Sequence, residues 1–180
     1  MAHLIYISGG CRSGKSSYAQ NLAESLPGKR AYLATCPLID EEMEQRIAHH
    51  QQQRIDRGWE TIEVPLDLAG AVKQASHFDI LLIDCLTLWI NNLLYEAEQK
   101  EETLTEQMIN DQCTELVKVC RKTNQTIIFV SNELGMGLVP ADSVSRRYRD
   151  CLGRCNQTIA KLANKAIFMV SGIPLTLKGA

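Results

Sequence analysis

Apolar positions along this chain follow two rhythms that alternate from end to end. Leu4 to Ile7 reads as a buried strand and Phe78 to Cys85 as an interior parallel one, while Ala31 to Thr35, Thr126 to Val130 and Ile167 to Val170 are further short strands. Trp59 to Val64 alternates instead, as a half-exposed strand does. Between the runs lie longer amphipathic stretches that read as helices: Lys15 to Leu26, Asp67 to Ser76, Thr87 to Gln99 and Thr105 to Lys122. Glu41 to Arg54 is a further helix, with Met43, Ile47 and His50 along one face. A long helix from Asp142 carries Val144, Tyr148, Leu152, Cys155, Ile159 and Leu162 on one stripe. Gly172-Ile173-Pro174 then turns the chain into a last strand, Leu175 to Lys178, expected at an antiparallel edge. Strands alternating with helices predict an α/β domain with a mostly parallel sheet flanked by helices. Ligands in such sheets bind at the carboxyl ends of the strands.

The first strand-to-helix junction holds the clearest chemistry. Gly9-Gly10-Cys11-Arg12-Ser13-Gly14-Lys15-Ser16 fits GxxxxGK[ST] after a strand and before a helix, the context a phosphate-binding P-loop requires. Its glycines free the backbone to aim N–H groups at phosphate oxygens, at the positive end of a helix. Lys15 would reach the β and γ phosphates and Ser16 would hold Mg²⁺. Arg12 either touches phosphate or is an exposed loop residue. Asp84 closes an apolar strand, where a P-loop protein places a carboxylate beside Mg²⁺, and also where an Asp would cap the next helix. The fold expected is therefore P-loop NTPase-like.

Composition narrows the partners. At 180 residues, 45% hydrophobic and 22% charged, the chain suits one domain spanning residues 1–180. Nineteen Lys and Arg against 21 Asp and Glu leave a net charge of −2, without the basic footprint of a nucleic-acid binder. The most apolar stretch, Ile80 to Tyr95, is short and broken by Asp84, Asn91 and Asn92, so no membrane span is expected. The N-terminus lacks a basic segment and a long apolar core, so no signal peptide is expected either. Seven cysteines without a CxxC pair suit a reducing compartment, the cytoplasm.

His49 and His50 are adjacent on the Glu41 to Arg54 helix, so they point about 100° apart and cannot chelate one ion together. His50 continues the Met43 and Ile47 stripe, whereas His49 faces another side with Arg46 and Gln53. Several segments in order, GGCRSGKS from Gly9, YLAT from Tyr32, DEEMEQRIAHH from Asp40, WETIE from Trp59, NELGMGLVP from Asn132, GRCNQ from Gly153 and VSG from Val170, cover nearly the whole chain. Together they resemble the bifunctional adenosylcobinamide kinase / adenosylcobinamide-phosphate guanylyltransferase family of cobalamin biosynthesis. The RIxHH and NExGMGxVP segments are far more specific than the P-loop, which marks only a superfamily.

The resemblance implies two reactions on one corrinoid side chain: phosphorylation of the aminopropanol hydroxyl, then transfer of GMP from GTP through a guanylyl-histidine. It implies that His49 is the guanylylated residue, and that Ala34, Thr35, Cys36, His50, Gln51, Gln52, Gln53 and Glu63 shape the guanosine site. It also implies Mg²⁺ at Ser16 and Asp84, GTP as the nucleotide with ATP as an alternative phosphate donor, a small corrinoid partner and a homo-oligomer. Glu63 is equally readable as an exposed strand residue. Family members can carry Glu where this chain has Asp84, and Cys11 inside the loop is tolerable because backbone groups bind the phosphates. In NELGMGLVP, Glu133 is a candidate contact for metal or corrinoid, unless the loop's glycines serve geometry alone. Arg146, Arg147, Arg149 and Arg154 meet phosphate, a neighbouring subunit or solvent. Two rival readings remain, a P-loop kinase of another small alcohol without guanylyl transfer and a non-catalytic GTP-binding regulatory protein; the RIxHH histidine separates them from the first.

Overall fold

The computed structural model describes residues 1–36 and 57–179. The helix expected over Glu41 to Arg54, with His49, His50, Gln51, Gln52 and Gln53, lies outside the described residues. Among the described residues seven strands form one sheet: β1 (His3–Gly9), β2 (Arg30–Ala34), β3 (Trp59–Glu63), β4 (Ile80–Asp84), β5 (Thr126–Asn132), β6 (Lys165–Val170) and β7 (Ile173–Lys178). Five helices flank it: α1 (Lys15–Ser25), α2 (Leu68–Gln74), α3 (Leu86–Gln99), α4 (Glu106–Arg121) and α5 (Ser143–Leu162). The strand order is β3-β2-β4-β5-β1-β6-β7, parallel throughout except for the β6–β7 pair. This is the expected α/β architecture, with its antiparallel edge.

Each central strand splits its apolar run between two cores. Leu4, Tyr6, Leu81, Ile83, Ile127 and Phe129 point to one face, where α2 to α5 supply Leu68, Ile90, Leu116, Leu152 and others. Ile5, Ile7, Ile80, Leu82, Ile128 and Val130 point to the opposite face, onto Ala19 and Ala23 of α1. Period-two side-chain geometry converts a continuous apolar run into two covered faces, which is why these strands do not alternate in sequence. Helix starts are set by local chemistry as well. The Thr105 side chain accepts from Met108 N at the start of α4, and Asp142 accepts from Ser145 N at the start of α5. The carbonyls at the far end of α1 are met by Arg30, whose guanidinium donates to those of Ala23, Glu24 and Leu26.

Three local expectations are revised. Strands β1 and β5 run two residues further than their apolar runs, because Ser8 pairs with Ser131 and Gly9 with Asn132. The last hairpin turns on Ser171 and Gly172, whose φ values of 52° and 81° close a two-residue loop. Pairing therefore resumes with Val170 opposite Ile173, and Pro174 sits on an edge strand, where its missing N–H is tolerated. Val144, expected on the buried stripe of α5, is exposed, while Leu152, Cys155 and Ile159 are buried.

Candidate active site

Six parallel strands bring their carboxyl ends to one edge of the sheet, and nearly every described candidate residue lies there. Gly9, Ala34, Glu63, Asp84, Asn132 and Val170 each end a strand. Ala34 is in register with both Glu63 and Asp84, and Gly9 with Asn132 and Met169. With strands about 4.8 Å apart, Asp84 stands two spacings from the phosphate loop, roughly 10 Å, and Glu63 four, roughly 19 Å. The edge thus has a phosphate end at β1 and a remote end at β2 and β3.

At the phosphate end, backbone geometry dictates the residues. Gly14 takes a φ of 88° as the N-cap of α1, a left-handed conformation that disfavours a side chain, and Arg12 also has a positive φ, 55°. A Cβ on Gly9 would stand 2.7 Å from the Met169 carbonyl oxygen and 2.6 Å from Ser13 Oγ. The loop closes on itself through Ser13 N to the Gly10 carbonyl at 3.2 Å, and Lys15 Nζ donates to that same oxygen at 3.2 Å. Ser16 follows on the first turn of α1, half-buried. Cys11 and Arg12 are exposed.

The hairpin tip between β6 and β7 presses on this loop, a feature that sequence reasoning missed. Gly172 N donates to the Ser13 carbonyl at 3.0 Å, and a Cβ on Gly14 would stand 3.3 Å from Gly172 Cα. Phe168, Met169, Val170 and Ser171 line a cleft of about 320 Å³ with Gly10 to Ser13, and Glu133 and Met136 close its other side. The sole signal was the short VSG segment, whose place beside the P-loop depends on β6 pairing with β1 across more than 150 residues.

Asp84 ends β4, but it does not cap the helix that follows, because the N-cap of α3 is Cys85 and no side chain bonds there. Burial, reinforced by the Asp84 charge, pushes the Cys85 thiol up to about 12, while the Lys15 ammonium pulls the other way. Lys15 and Asp84 therefore share one electrostatic neighbourhood above β4. Thr35 is buried, and its hydroxyl both donates to the Cys85 carbonyl and accepts from Cys85 N, each at 2.8 Å. Asn92 Nδ2 donates to the Thr35 carbonyl at 2.8 Å. Thr35 thus fixes the β2 and β4 ends to each other. Ala34 and Cys36 flank it half-buried, and Glu63 is exposed on the outermost strand.

The loop after β5 packs beside the phosphate end. Glu133 N donates to the Gly9 carbonyl at 3.1 Å, and Glu133 Oε1 accepts from Gly135 N at 2.8 Å. Its strand is anchored by buried Asn156, which receives a bond from Ser131 Oγ and donates to the Asn132 carbonyl. The arginines of α5 divide by task. Arg146 donates to the carbonyls of Pro140 and Ala141, Arg154 pairs with Glu106 at 3.1 Å, and Arg149 lies 3.8 Å from Asp150. Arg147 is exposed. No group of three His, Cys, Asp or Glu able to hold a metal occurs among the described residues.

Comparison with known proteins finds relatives along nearly the whole chain. Residues 5–177 match the family model described as cobinamide kinase / cobinamide phosphate guanyltransferase. The chain is 40% identical over 174 residues to the bifunctional adenosylcobalamin biosynthesis protein CobP of Pseudomonas aeruginosa, covering 96% of each. It is 34% identical over 182 residues to bifunctional adenosylcobalamin biosynthesis proteins CobU of Escherichia coli and of Salmonella typhimurium, covering 97% of this chain and 99% of each relative.

Proposed function

Because the chain belongs to the cobinamide kinase / cobinamide phosphate guanyltransferase family, we propose that it phosphorylates the aminopropanol hydroxyl of adenosylcobinamide and then transfers GMP to the new phosphate. The observation that supports this reading is the loop from Gly9 to Ser16 at the carboxyl end of β1, with the left-handed Gly14 at the start of α1 and Lys15 and Ser16 on its first turn.

In the kinase step the loop amides and Lys15 hold the triphosphate, and catalysis rests on positioning and charge stabilisation. Ser16 and Asp84 offer one hydroxyl and one carboxylate, hard oxygen donors of the kind that would hold Mg²⁺. When bound, the ion neutralises charge on the phosphates. The hydroxyl oxygen of the acceptor forms the new P–O bond as the bond to the leaving nucleoside diphosphate breaks, and the hydroxyl proton goes to solvent or a basic group.

In the second step the neutral imidazole of His49 attacks the α-phosphorus of GTP, forming an N–P bond while pyrophosphate leaves. The corrinoid phosphate then attacks that phosphorus, forming the diphosphate and freeing the imidazole. Ala34, Thr35, Cys36, His50, Gln51, Gln52, Gln53 and Glu63 frame the guanosine. Glu63 is suited to accept from the guanine N1–H and 2-amino group, and Thr35 contributes shape, since its hydroxyl is already engaged by Cys85. Free cysteines throughout the described residues fit a cytoplasmic enzyme. No described helix is long and apolar enough to cross a membrane. The homo-oligomeric state rests on the family resemblance alone.

The test is intact mass after incubation with GTP and Mg²⁺, followed by peptide mapping. One GMP on His49, lost in acid and stable in alkali, is expected. His49→Asn abolishes the adduct and retains kinase activity, whereas His50→Asn weakens guanylylation without eliminating it. A GMP on any other residue overturns the assignment of His49, and no adduct at all overturns guanylyl transfer.

A further inference from the structure

Four side chains among the described residues hold a buried polar atom without a hydrogen-bond partner: Tyr6 Oη, Ser13 Oγ, Gln125 Oε1 and Asn132 Oδ1. Such atoms cost stability, so each calls for a reason. Gln125 has one in the fold, since its Nε2 donates to the carbonyls of Ala75 and Phe78. Tyr6 fills the core on the α2 to α5 face, and Ser13 belongs to the phosphate loop itself. At Asn132 the hydrogen bonds among the described residues are those of the backbone. Asn132 N donates to Thr87 Oγ1 at 2.8 Å, its carbonyl accepts from Asn156 Nδ2 at 2.9 Å, and Glu133 N donates to the Gly9 carbonyl at 3.1 Å. The position is fixed without help from its own amide.

Where that amide stands follows from the sheet. β5 lies between β1, which leads into the phosphate loop, and β4, which ends in Asp84. Asn132 is opposite Gly9, one strand spacing or about 4.8 Å away, and two residues, about 7 Å, beyond Val130, the partner of Asp84. Ile128 and Val130 point to the face covered by α1, as do Ile80 and Leu82 of β4. Alternation puts Asn132 and Asp84 on that same face, where α1 begins with Lys15 and Ser16. The bond to Thr87, on the first turn of α3, holds Asn132 beside the junction that follows Asp84.

A phosphate over this point presents acceptor oxygens, and a carboxamide meets them through its NH₂ group without adding charge to a site that already has an ammonium and a carboxylate. In a P-loop the backbone amides cradle the inner phosphates and the lysine reaches the outer ones, so the group on the Asp84 side of the loop is the last. We propose that Asn132 is a ligand-contacting residue whose amide NH₂ donates to the terminal phosphate of the nucleoside triphosphate. This rests on the functional reading above. The orphaned oxygen marks an amide placed for a ligand and not for the fold.

The test is calorimetric binding of the α,β-methylene analogues of GTP and GDP, whose carbon bridge blocks loss of GMP, to the parental protein, Asn132→Ala and Asn132→Asp. Asn132→Ala is expected to bind the triphosphate analogue about tenfold more weakly or worse, the scale of a hydrogen bond to a charged group, and to bind the diphosphate analogue as the parent does. Asn132→Asp, alike in shape but anionic, loses more. Because Asn132 Oδ1 has no partner to lose, the urea midpoint of Asn132→Ala is not lowered. Equal losses for both analogues, or none for either, refute the contact with the terminal phosphate, and equal losses with a lowered midpoint make the amide a structural group. Cobinamide phosphorylation by the parental protein is followed separately. Its absence, with the selective loss intact, removes the functional reading and leaves the contact standing; a parental protein that binds neither analogue refutes both.

Discussion

The phosphate loop and the loop after β5 lie side by side at one sheet edge, yet they are built on opposite principles. In Gly9 to Lys15 close backbone approach sets the residues: a Cβ at Gly9 would meet Met169 and Ser13, and Gly14 has a positive φ. In Glu133 to Ala141 the backbone is tied down by carboxylate, carbonyl and guanidinium bonds, and side chains are displayed. The two loops meet along one cleft, lined by Gly10 to Ser13 from the first and by Glu133 and Met136 from the second.

The sharpest way to break this contrast is to remove the charge from the phosphate loop. Lys15→Ala is expected to lower kinase turnover by about 10²–10³-fold, the scale of losing one group that stabilises transition-state charge. The melting temperature should hardly move, because the ammonium contacts only a loop carbonyl among the described residues. Steady-state kinetics with cobinamide and calorimetry on the same samples check both halves; a parental rate would sever the loop from the kinase step.

Next in size is the backbone requirement itself. Gly9→Ala places a methyl against the Met169 carbonyl and must shift β6 or the loop, costing about 1–3 kcal/mol of stability as overpacking does. Gly10→Ala, whose Cβ meets nothing within 4 Å, should change stability by less than about 0.5 kcal/mol. Chemical denaturation of the two variants decides; equal losses would mean that Gly9 is not held by packing.

How far each loop was legible in the sequence follows from the same difference. A phosphate loop is a local device, so spacing of Gly9, Gly14, Lys15 and Ser16 suffices to find it, and the strand-to-helix context is local too. The apolar runs gave the two-faced sheet for the same reason. What the chain alone could not show is set by long-range pairing. The hairpin tip reaches Ser13 only because β6 lies beside β1, and the choice of Cys85 over Asp84 as the α3 cap is decided by where β4 stops pairing. Val144 misled because periodicity identifies a stripe and not how far the packed surface beneath it extends. Residues His49 to Gln53 are outside the described residues, so the guanosine side of the site rests on the resemblance and on the placement of Ala34 to Cys36 and Glu63.

Asp84→Asn probes the shared ground between the two loops. It keeps the volume and removes the charge. With Cys85 as the helix cap, helix stability should not suffer, and the expected effect is a raised Mg²⁺ requirement, about tenfold, without loss of folding. Activity titrated against Mg²⁺ for both proteins tests it, and superimposable titrations would exclude Asp84 from the metal shell.

The smallest effect is also the most discriminating, because it asks whether the displayed side chains serve the fold. Leu138, almost fully exposed, has little apolar contact to lose, so Leu138→Ser should alter unfolding free energy by less than about 0.5 kcal/mol. Leu134, four residues earlier in the same loop, packs against the main core, and Leu134→Ser should cost about 1–3 kcal/mol. Urea melts of both variants set the scale. Equal costs would mean that Leu138 packs against something in solution; a large cost at Leu134 with almost none at Leu138 would mean that the fold depends on the inward-facing leucine of this loop and not on the outward-facing one.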